Sequence, residues 1–319
     1  MRVLPGLAAA VIVAAAPAGA VVVSDSFGGS ATPLALSALL GAQAEFDAVA
    51  RLETGTGGVC SGTLISAVSV LTARHCADAA LAGDWTARFA SAGISTGYGV
   101  SSIATLAPDP GSPAEYFNGT DLAVFTLSSP VTGIDPLLLH SGPLYAEAFA
   151  MVGWGLYGTG STGAALGPDS GHRGFALNML DAATASPSGD FELLLADFDD
   201  EAGMSNTLLD PLGLPSQPDP LLHEGLIAPG DSGGPLLLLR EGSWLVSGVA
   251  TGSLATDGLT DSDYGDIGAW TALQSEAART LLSGAGGVFY GAEVPLPLPA
   301  VLLGTAWAGL ALLRRRDQP

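Results

Sequence analysis

The chain contains no lysine, and all ten of its basic residues are arginine. Thirty-one acidic residues leave a formal net charge of −21 at pH 7. A surface this negative repels the phosphate backbone, so we exclude nucleic acid as a partner. Cysteine is also scarce: Cys60 and Cys76 are too few for a fold built on disulfides. One bridge between them can form if the chain is exported.

Charged residues make up 13% of the chain, whereas hydrophobic residues make up 48%, with 44 glycines and 21 prolines. This composition favours an all-β fold with many turns over a helical one. Short apolar runs separated by turn residues begin at Ala48 and predict an antiparallel barrel or sandwich. One helix is predicted near the end, where Leu273, Ala277 and Leu281 recur every four residues and Gly284 is a stop signal.

The N-terminus has the pattern of a secretory signal peptide over residues 1–20. Arg2 supplies a positive charge, residues 7–16 form an apolar run, and Ala18-Gly19-Ala20 is a small-residue cleavage site. The apolar run is too short to span a membrane. Residues 21–47 are small and polar and are interpreted as a leader or pro-segment. These features predict an exported protein.

The C-terminal segment, residues 294–319, combines three features in a fixed order. A proline-containing motif, Val294-Pro295-Leu296-Pro297-Leu298-Pro299-Ala300, leads into an apolar run that ends at Leu313, and three arginines follow. This order resembles the PEP-CTERM/VPLPA-type sorting tails of Gram-negative bacteria. The resemblance implies recognition of the tail by a membrane sorting enzyme and a place outside the cell or on its surface. The alternative is a permanent membrane anchor, although the apolar run is short for a span of about 20 residues. Residues 284–293 are predicted to be a glycine-rich linker to this tail.

The strongest chemical signal is Gly230-Asp231-Ser232-Gly233-Gly234-Pro235. A serine hydroxyl is a weak nucleophile unless a base takes its proton and donors hold the resulting oxyanion. Glycines on both sides let the backbone turn tightly and present its N–H groups. Ser232 is therefore the candidate nucleophile.

Two further sequences supply the groups that such a serine needs. His75 lies in Leu71-Thr72-Ala73-Arg74-His75-Cys76, and imidazole titrates near neutral pH without help. Asp121 opens the apolar run that ends at Leu127, where burying an acid is costly without a partner. Hydrogen bonding to His75 would supply that partner. A bridge between Cys60 and Cys76 would hold the segment that carries His75.

The order His75, Asp121, Ser232, with these flanking sequences, resembles the chymotrypsin/trypsin-like serine peptidases over residues 48–283. The resemblance implies two six-stranded antiparallel β-barrels with a C-terminal helix. It also implies protein or peptide substrates, with His75 as base, Asp121 orienting it and Ser232 attacking. The N–H groups of Gly230 and Ser232 would form the oxyanion hole. It implies no cofactor and no metal.

The chain departs from this family at its activation site. Family members are cut between a basic residue and Ile-Val-Gly-Gly, and the new ammonium pairs with the acid before the serine. No such sequence occurs between residues 21 and 50. Asp231 would therefore need another partner or an unusual N-terminus.

The specificity pocket is the second departure. The position six before the serine is Leu226, and with Thr251 and Gly252 it predicts a pocket that prefers apolar side chains. A shifted alignment would instead place Glu224 in the pocket and favour Arg and Lys.

Two other functions are compatible with these residues besides that of a peptidase. A binding module could keep this fold without turnover, and an esterase could use the same three residues. The glycines around Ser232 differ from the G-x-S-x-G sequence of such esterases.

The acidic stretches 197–201 and 261–263 lack the spacing of a known calcium loop and are interpreted as solvated loops.

Overall fold

A computed structural model provides the structure. It describes residues 20–108, 116–144, 146–164, 171–186, 188–190, 192–210, 212–255 and 257–291. The predicted signal peptide, except for its last residue, and the predicted sorting tail lie outside these ranges. Within them, no helix is both long and apolar enough to cross a membrane.

The described residues form mostly short strands. In chain order the strands are β1 (Val21–Val23), β2 (Val49–Thr54), β3 (Val59–Ser66), β4 (Ser69–Thr72), β5 (Trp85–Ser91), β6 (Ile94–Thr105), β7 (Ala123–Leu127), β8 (Leu138–Leu139), β9 (Ala148–Gly153), β10 (Tyr157–Thr159), β11 (Gly174–Met179), β12 (Ala182–Ala185), β13 (Glu192–Asp197), β14 (Gly225–Leu226), β15 (Pro235–Arg240), β16 (Ser243–Leu254) and β17 (Ile267–Ala272). The α-helices are α1 (Pro33–Gly41), α2 (Arg74–Asp78) and α3 (Glu276–Gly284). Single 3₁₀ turns cover Phe27–Gly29, Ala44–Phe46 and Ala82–Asp84.

The first half of the fold is a closed barrel of six strands in the order β2-β3-β4-β7-β6-β5. All of its neighbouring strands are antiparallel. Apolar side chains such as Leu52, Leu64 and Phe125 are fully buried in the core. Closure removes the exposed strand edges that an open sheet would leave. The last residue of β4 pairs with the first residue of β7. His75 lies shortly after the end of β4, and Asp121 lies shortly before the start of β7.

The second half is a larger sheet with the path β11-β9-β15-β16-β17-β13-β12, and β8 lies beside β16. The first six strands of this path begin with β11 and end with β13, and they correspond to the predicted second barrel. Among the described residues no backbone ladder joins β11 to β13. The side chain of Asn178 on β11 bridges them instead, because its Nδ2 donates to the carbonyl of Asp197 on β13 at 2.9 Å. The predicted all-β fold with a C-terminal helix is confirmed.

The N-terminal described segment is packed into the second half. Strand β1 lies between β10, to which it is parallel, and β14, to which it is antiparallel, and its three valines are fully buried. The buried Arg173 donates to Asp47 at 2.7 Å and to the carbonyl of Phe46, which fixes the segment after α1. The interpretation of residues 21–47 as a leader or pro-segment stays a prediction, but removing them would uncover the edges of β10 and β14.

Helix α3 has a clear start and stop. The Ser275 hydroxyl accepts a hydrogen bond from the Ala278 N–H at 3.1 Å, which caps the helix. The helix ends at Gly284, as predicted, whereas Leu273 precedes it. The described part of the predicted linker packs on β8, where Tyr290 N–H donates to the carbonyl of Leu139 at 2.7 Å.

Candidate active site

His75 and Asp121 form a doubly hydrogen-bonded pair. One Asp121 oxygen lies 2.8 Å from His75 Nδ1, and the other accepts the backbone N–H of His75 at 2.9 Å. Asp121 is fully buried, whereas His75 keeps part of its side chain exposed. The carboxylate therefore fixes the imidazole ring from one side and leaves Nε2 as the nitrogen available for proton transfer.

Ser232 lies in the loop between β14 and β15, and that loop is attached to the first barrel. The Ser232 carbonyl accepts the N–H of Ser61 on β3 at 2.7 Å. Cys76, the neighbour of His75, places its Sγ 3.8 Å from the same carbonyl oxygen. The structure therefore brings the segments of all three predicted catalytic residues to one junction between the two halves.

Two glycines shape this loop. Gly230 and Gly233 have φ angles of 96° and 83°, a left-handed region that favours glycine. A Cβ on Gly233 would lie 2.1 Å from Thr72 Oγ1 and 2.3 Å from the Ser61 carbonyl. Among the backbone hydrogen bonds of the described residues, none uses the N–H of Gly230 or Ser232 as donor. Both predicted oxyanion donors thus remain free for a ligand.

Ser61 connects three parts of the site. Its hydroxyl donates to the Gly230 carbonyl at 3.1 Å and accepts the Trp154 N–H at 3.0 Å. Its carbonyl accepts the Thr72 hydroxyl at 2.8 Å. The sequence gives no sign of this role, because nothing in it shows that β3 reaches the loop that carries Ser232. We regard it as a positioning residue.

Cys60 and Cys76 are joined by a disulfide in the structure, so the predicted bridge is confirmed. It ties β3 to α2, the helix that carries His75. Closing a loop of 16 residues should stabilise the fold by about 3 kcal/mol. The sulfurs are consequently not available as metal ligands beside His75.

A comparison with known families supports this geometry. Residues 41–166 match the family model for Trypsin, a stretch that includes His75 and Asp121 and ends before Ser232. The matched stretch covers less than half of the chain and is similar to the chymotrypsin/trypsin-like serine peptidases, which supports a serine-type peptidase and hence a hydrolase. No curated protein matches the chain.

Asp231 is a fully buried carboxylate. It accepts the N–H of Gly155 and of Ala228, each at 2.8 Å. The nearby backbone N–H groups of Val21 and Trp154 also favour its charged form and act to lower its pKa. Burial nevertheless raises the pKa of Asp231 to about 7. No basic side chain of the described residues forms an ion pair with it.

A cavity of about 220 Å³ adjoins Ser232. The residues that line it are mostly apolar or small: Phe117, Ile227, Ala228, Pro229, Ser232, Gly252, Ser253 and Thr260. Of the three predicted pocket residues, only Gly252 is among them. A Cβ on Gly252 would lie 3.0 Å from the Phe117 ring, so the glycine leaves room for that ring.

The other predicted pocket residues lie elsewhere. Leu226 is fully buried in β14 and pairs with Val22. The Thr251 hydroxyl is buried and bonded to that of Thr271 at 3.0 Å. Glu224, the competing candidate, accepts the N–H of Asp199 at 2.9 Å and that of Leu221. Counting six residues back from Ser232 misses the cavity because the loop after β14 turns toward it one residue later, at Ile227.

The sequence predicted a solvated loop over residues 197–201, but only its end is solvated: Glu201 is exposed and Asp200 is half-buried. Asp197 and Asp199 are buried, together with Asp181 and Glu224. Burial, reinforced by the neighbouring carboxylates, raises the pKa of Asp199 to about 8 and that of Asp181 to about 7. Asp197 accepts the N–H of Leu208 at 2.9 Å, so these acids hold the long segment between β13 and β14 against the sheet.

The second acidic stretch brings three carboxylates together. Asp261, Asp263 and Asp266 each place an oxygen within 4.8 Å of the others, and Asp266 is buried. Burial raises the pKa of Asp266 to about 7. Such a group of oxygens is the donor type that hard cations prefer, but the Ser262 N–H already bonds to Asp266 at 2.8 Å.

Proposed function

We propose that the chain is a serine endopeptidase that hydrolyses peptide bonds through His75, Asp121 and Ser232. Ser232 Oγ attacks the substrate carbonyl while His75 Nε2 takes the hydroxyl proton. His75 then returns that proton to the leaving amine, and water hydrolyses the acyl-enzyme. Asp121 keeps the imidazole oriented and stabilises its protonated form. The N–H groups of Gly230 and Ser232 hold the oxyanion.

The observation that carries this proposal is the His75–Asp121 pair at 2.8 Å, at the same junction as the loop of Ser232, which Ser61 attaches to the first barrel and which has two free N–H donors. A binding module has no need for oriented imidazole and unbonded donors at the same junction. We therefore favour turnover over binding alone.

The cavity beside Ser232 supports an apolar preference at the substrate residue before the cut bond. Ile227 and Ala228 form part of its lining, and no acidic side chain is among the lining residues. A buried cationic side chain would lose its water without gaining a carboxylate. Proteins or peptides with medium-sized apolar residues at that position are the substrate class that we propose.

We further propose that the peptidase is exported and sorted to the surface of a Gram-negative cell. The support is in the sequence: residues 1–20 have the pattern of a signal peptide, and residues 294–319 resemble a sorting tail. The membrane contact of the tail is transient if a sorting enzyme removes it. Deleting residues 294–319 should release the protein into the medium with its peptidase activity unchanged.

An active-site-directed fluorophosphonate tests the catalytic proposal. The exported protein should label at Ser232 and hydrolyse an unstructured protein such as casein. Ser232→Ala should abolish both while preserving the circular dichroism spectrum, because loss of the nucleophile removes orders of magnitude in turnover. Ser101→Ala, on the exposed side of the first barrel, is the control and should remain active. A folded wild-type protein that neither labels nor hydrolyses would favour the binding module.

A further inference from the structure

Three side chains that can bind a metal ion lie together beside the catalytic base. Cys60 Sγ, Cys76 Sγ and a ring nitrogen of His75 all lie within 4.8 Å of one another. The two cysteines are buried, whereas the His75 side chain is partly exposed. The sulfurs are joined in the bridge and cannot hold an ion in that state. Reduction of the bridge would leave two thiols next to the imidazole.

Two thiolates and one imidazole are ligands that zinc prefers. Zinc binds sulfur at about 2.3 Å and imidazole nitrogen at about 2.0–2.1 Å, in a tetrahedral arrangement. This arrangement separates neighbouring ligand atoms by about 3.6–3.8 Å. Because the three ligand atoms already lie within 4.8 Å of one another, small side-chain shifts are enough to reach it. Sulfur ligands also select zinc over magnesium and calcium, which prefer oxygen.

The hydrogen bond between His75 and Asp121 favours the same metal. His75 Nδ1 lies 2.8 Å from Asp121 Oδ2, so Nε2 is the ring nitrogen that is left for a metal. A histidine that binds zinc usually donates its other ring N–H to a carboxylate, which orients the ring and makes the ligand more basic. The fully buried Asp121 carboxylate also places a negative charge near the cation. The pair that serves catalysis is therefore already arranged for metal binding.

We propose that Cys60, Cys76 and His75 bind one zinc ion when the bridge is reduced, and that this ion blocks the catalytic base. A water molecule would be the fourth ligand. Zinc on Nε2 occupies the lone pair that takes the Ser232 proton, so the reduced protein with zinc is inactive. Only the block rests on the proposed function, since metal binding needs no turnover. The ion is an inhibitor of hydrolysis and not a cofactor.

Formation of the bridge releases the ion. The thiolates of Cys60 and Cys76 exchange with a disulfide-bearing oxidant, so that their S–S bond forms while the S–S bond of the oxidant breaks. The oxidant gains two electrons, and its two thiolates take up two protons from water. Zinc then keeps only His75 and water as ligands and dissociates. Because disulfides form in oxidising compartments, the base is freed only where the bridge can form.

Cobalt(II) and zinc test this site in the full exported chain. The protein is reduced in urea by a phosphine, which takes the oxygen of one water molecule while the two sulfurs take its protons. It is then refolded without oxygen. Cobalt(II) occupies tetrahedral zinc sites and gives a thiolate charge-transfer band in the optical spectrum. The controls are the oxidised wild type and the double variant Cys60→Ser, Cys76→Ser, which keeps His75 and loses both sulfurs.

We expect one cobalt ion per reduced chain, with the thiolate band, and displacement of cobalt by zinc. His75→Ala should weaken cobalt binding by more than about tenfold, since even the loss of a hydrogen-bond partner of a ligand costs about 10- to 100-fold. Zinc at about ten times its Kd should lower peptide hydrolysis by the reduced protein about tenfold, and a chelator should restore it. Each control should lack the band and hydrolyse peptides equally fast with and without zinc.

A folded reduced chain without the thiolate band would overturn the proposal, as would cobalt binding that His75→Ala leaves unchanged. If the reduced chain does not refold alone, zinc should refold it, because an ion that binds the folded state stabilises that state. Failure of zinc to do so would also overturn the proposal. If the oxidised protein has no peptidase activity but the reduced chain binds cobalt through both sulfurs and His75, the metal site stands and the proposed function is refuted.

Discussion

Ser61→Ala should weaken both the fold and the active site, because one hydroxyl connects the two halves. The substitution leaves the buried Trp154 N–H without its acceptor, which costs about 1–3 kcal/mol, and removes the bond to the Gly230 carbonyl, which contributes about 0.5–1.5 kcal/mol. The free energy of unfolding should fall by about 1.5–4.5 kcal/mol. If roughly 1.4 kcal/mol of this is lost as displacement of the nucleophile loop, kcat/KM falls about tenfold.

Urea unfolding and peptide hydrolysis measure the two effects separately. Ser101→Ala is the matched control, since its hydroxyl donates to the Thr126 carbonyl at 3.0 Å on the exposed side of the same barrel. The control should change stability by less than about 0.5 kcal/mol. The positioning role of Ser61 is refuted if both variants lose the same stability and Ser61→Ala keeps full kcat/KM.

Three further outcomes are expected. Replacing Cys60 and Cys76 by serine should lower the unfolding free energy by about 3 kcal/mol in urea, and an unchanged midpoint would contradict the stabilising role of the bridge. The folded pKa of Asp199, about 8, lies above its ordinary value, so stability is lost as pH rises toward 8. Asp199→Asn should therefore gain roughly 1–3 kcal/mol at pH 8 relative to pH 5, and no gain would show that the carboxylate is compensated. Matched peptides should be cut faster with Leu or Phe than with Arg before the bond, by about 10-fold or more, and faster cleavage after Arg would refute the apolar cavity.

The elements that sequence predicted well are those whose signal is local. The strands around His75, the helix that ends at Gly284 and the glycine-rich loop at Ser232 each follow from residues within a few positions. The disulfide also lies within one short segment. In these cases turn chemistry, apolar patterning and residue type all indicate the same structure.

The features that sequence missed depend on contacts between distant segments. Leu226 was assigned to the pocket by counting from Ser232, but β14 pairs it with Val22 and buries it. Asp199 looked like a surface acid because of its charged neighbours, yet Glu224 accepts its N–H from 25 positions away. Strand β1 was not predicted either, although its three consecutive valines are typical of a strand.

Because the site is divided between the two halves of the fold, its residues are synthesised and positioned in a fixed order. His75, Asp121 and Ser61 all belong to the part of the chain that is synthesised first, whereas Ser232 is made late and is positioned by contacts to Ser61. A nascent chain that has not yet reached residue 232 has no nucleophile. In a completed chain, the loop that carries Ser232 is positioned only after the first barrel has folded. A cell that makes this chain therefore meets the complete set of His75, Asp121 and Ser232 only at a late stage of its synthesis.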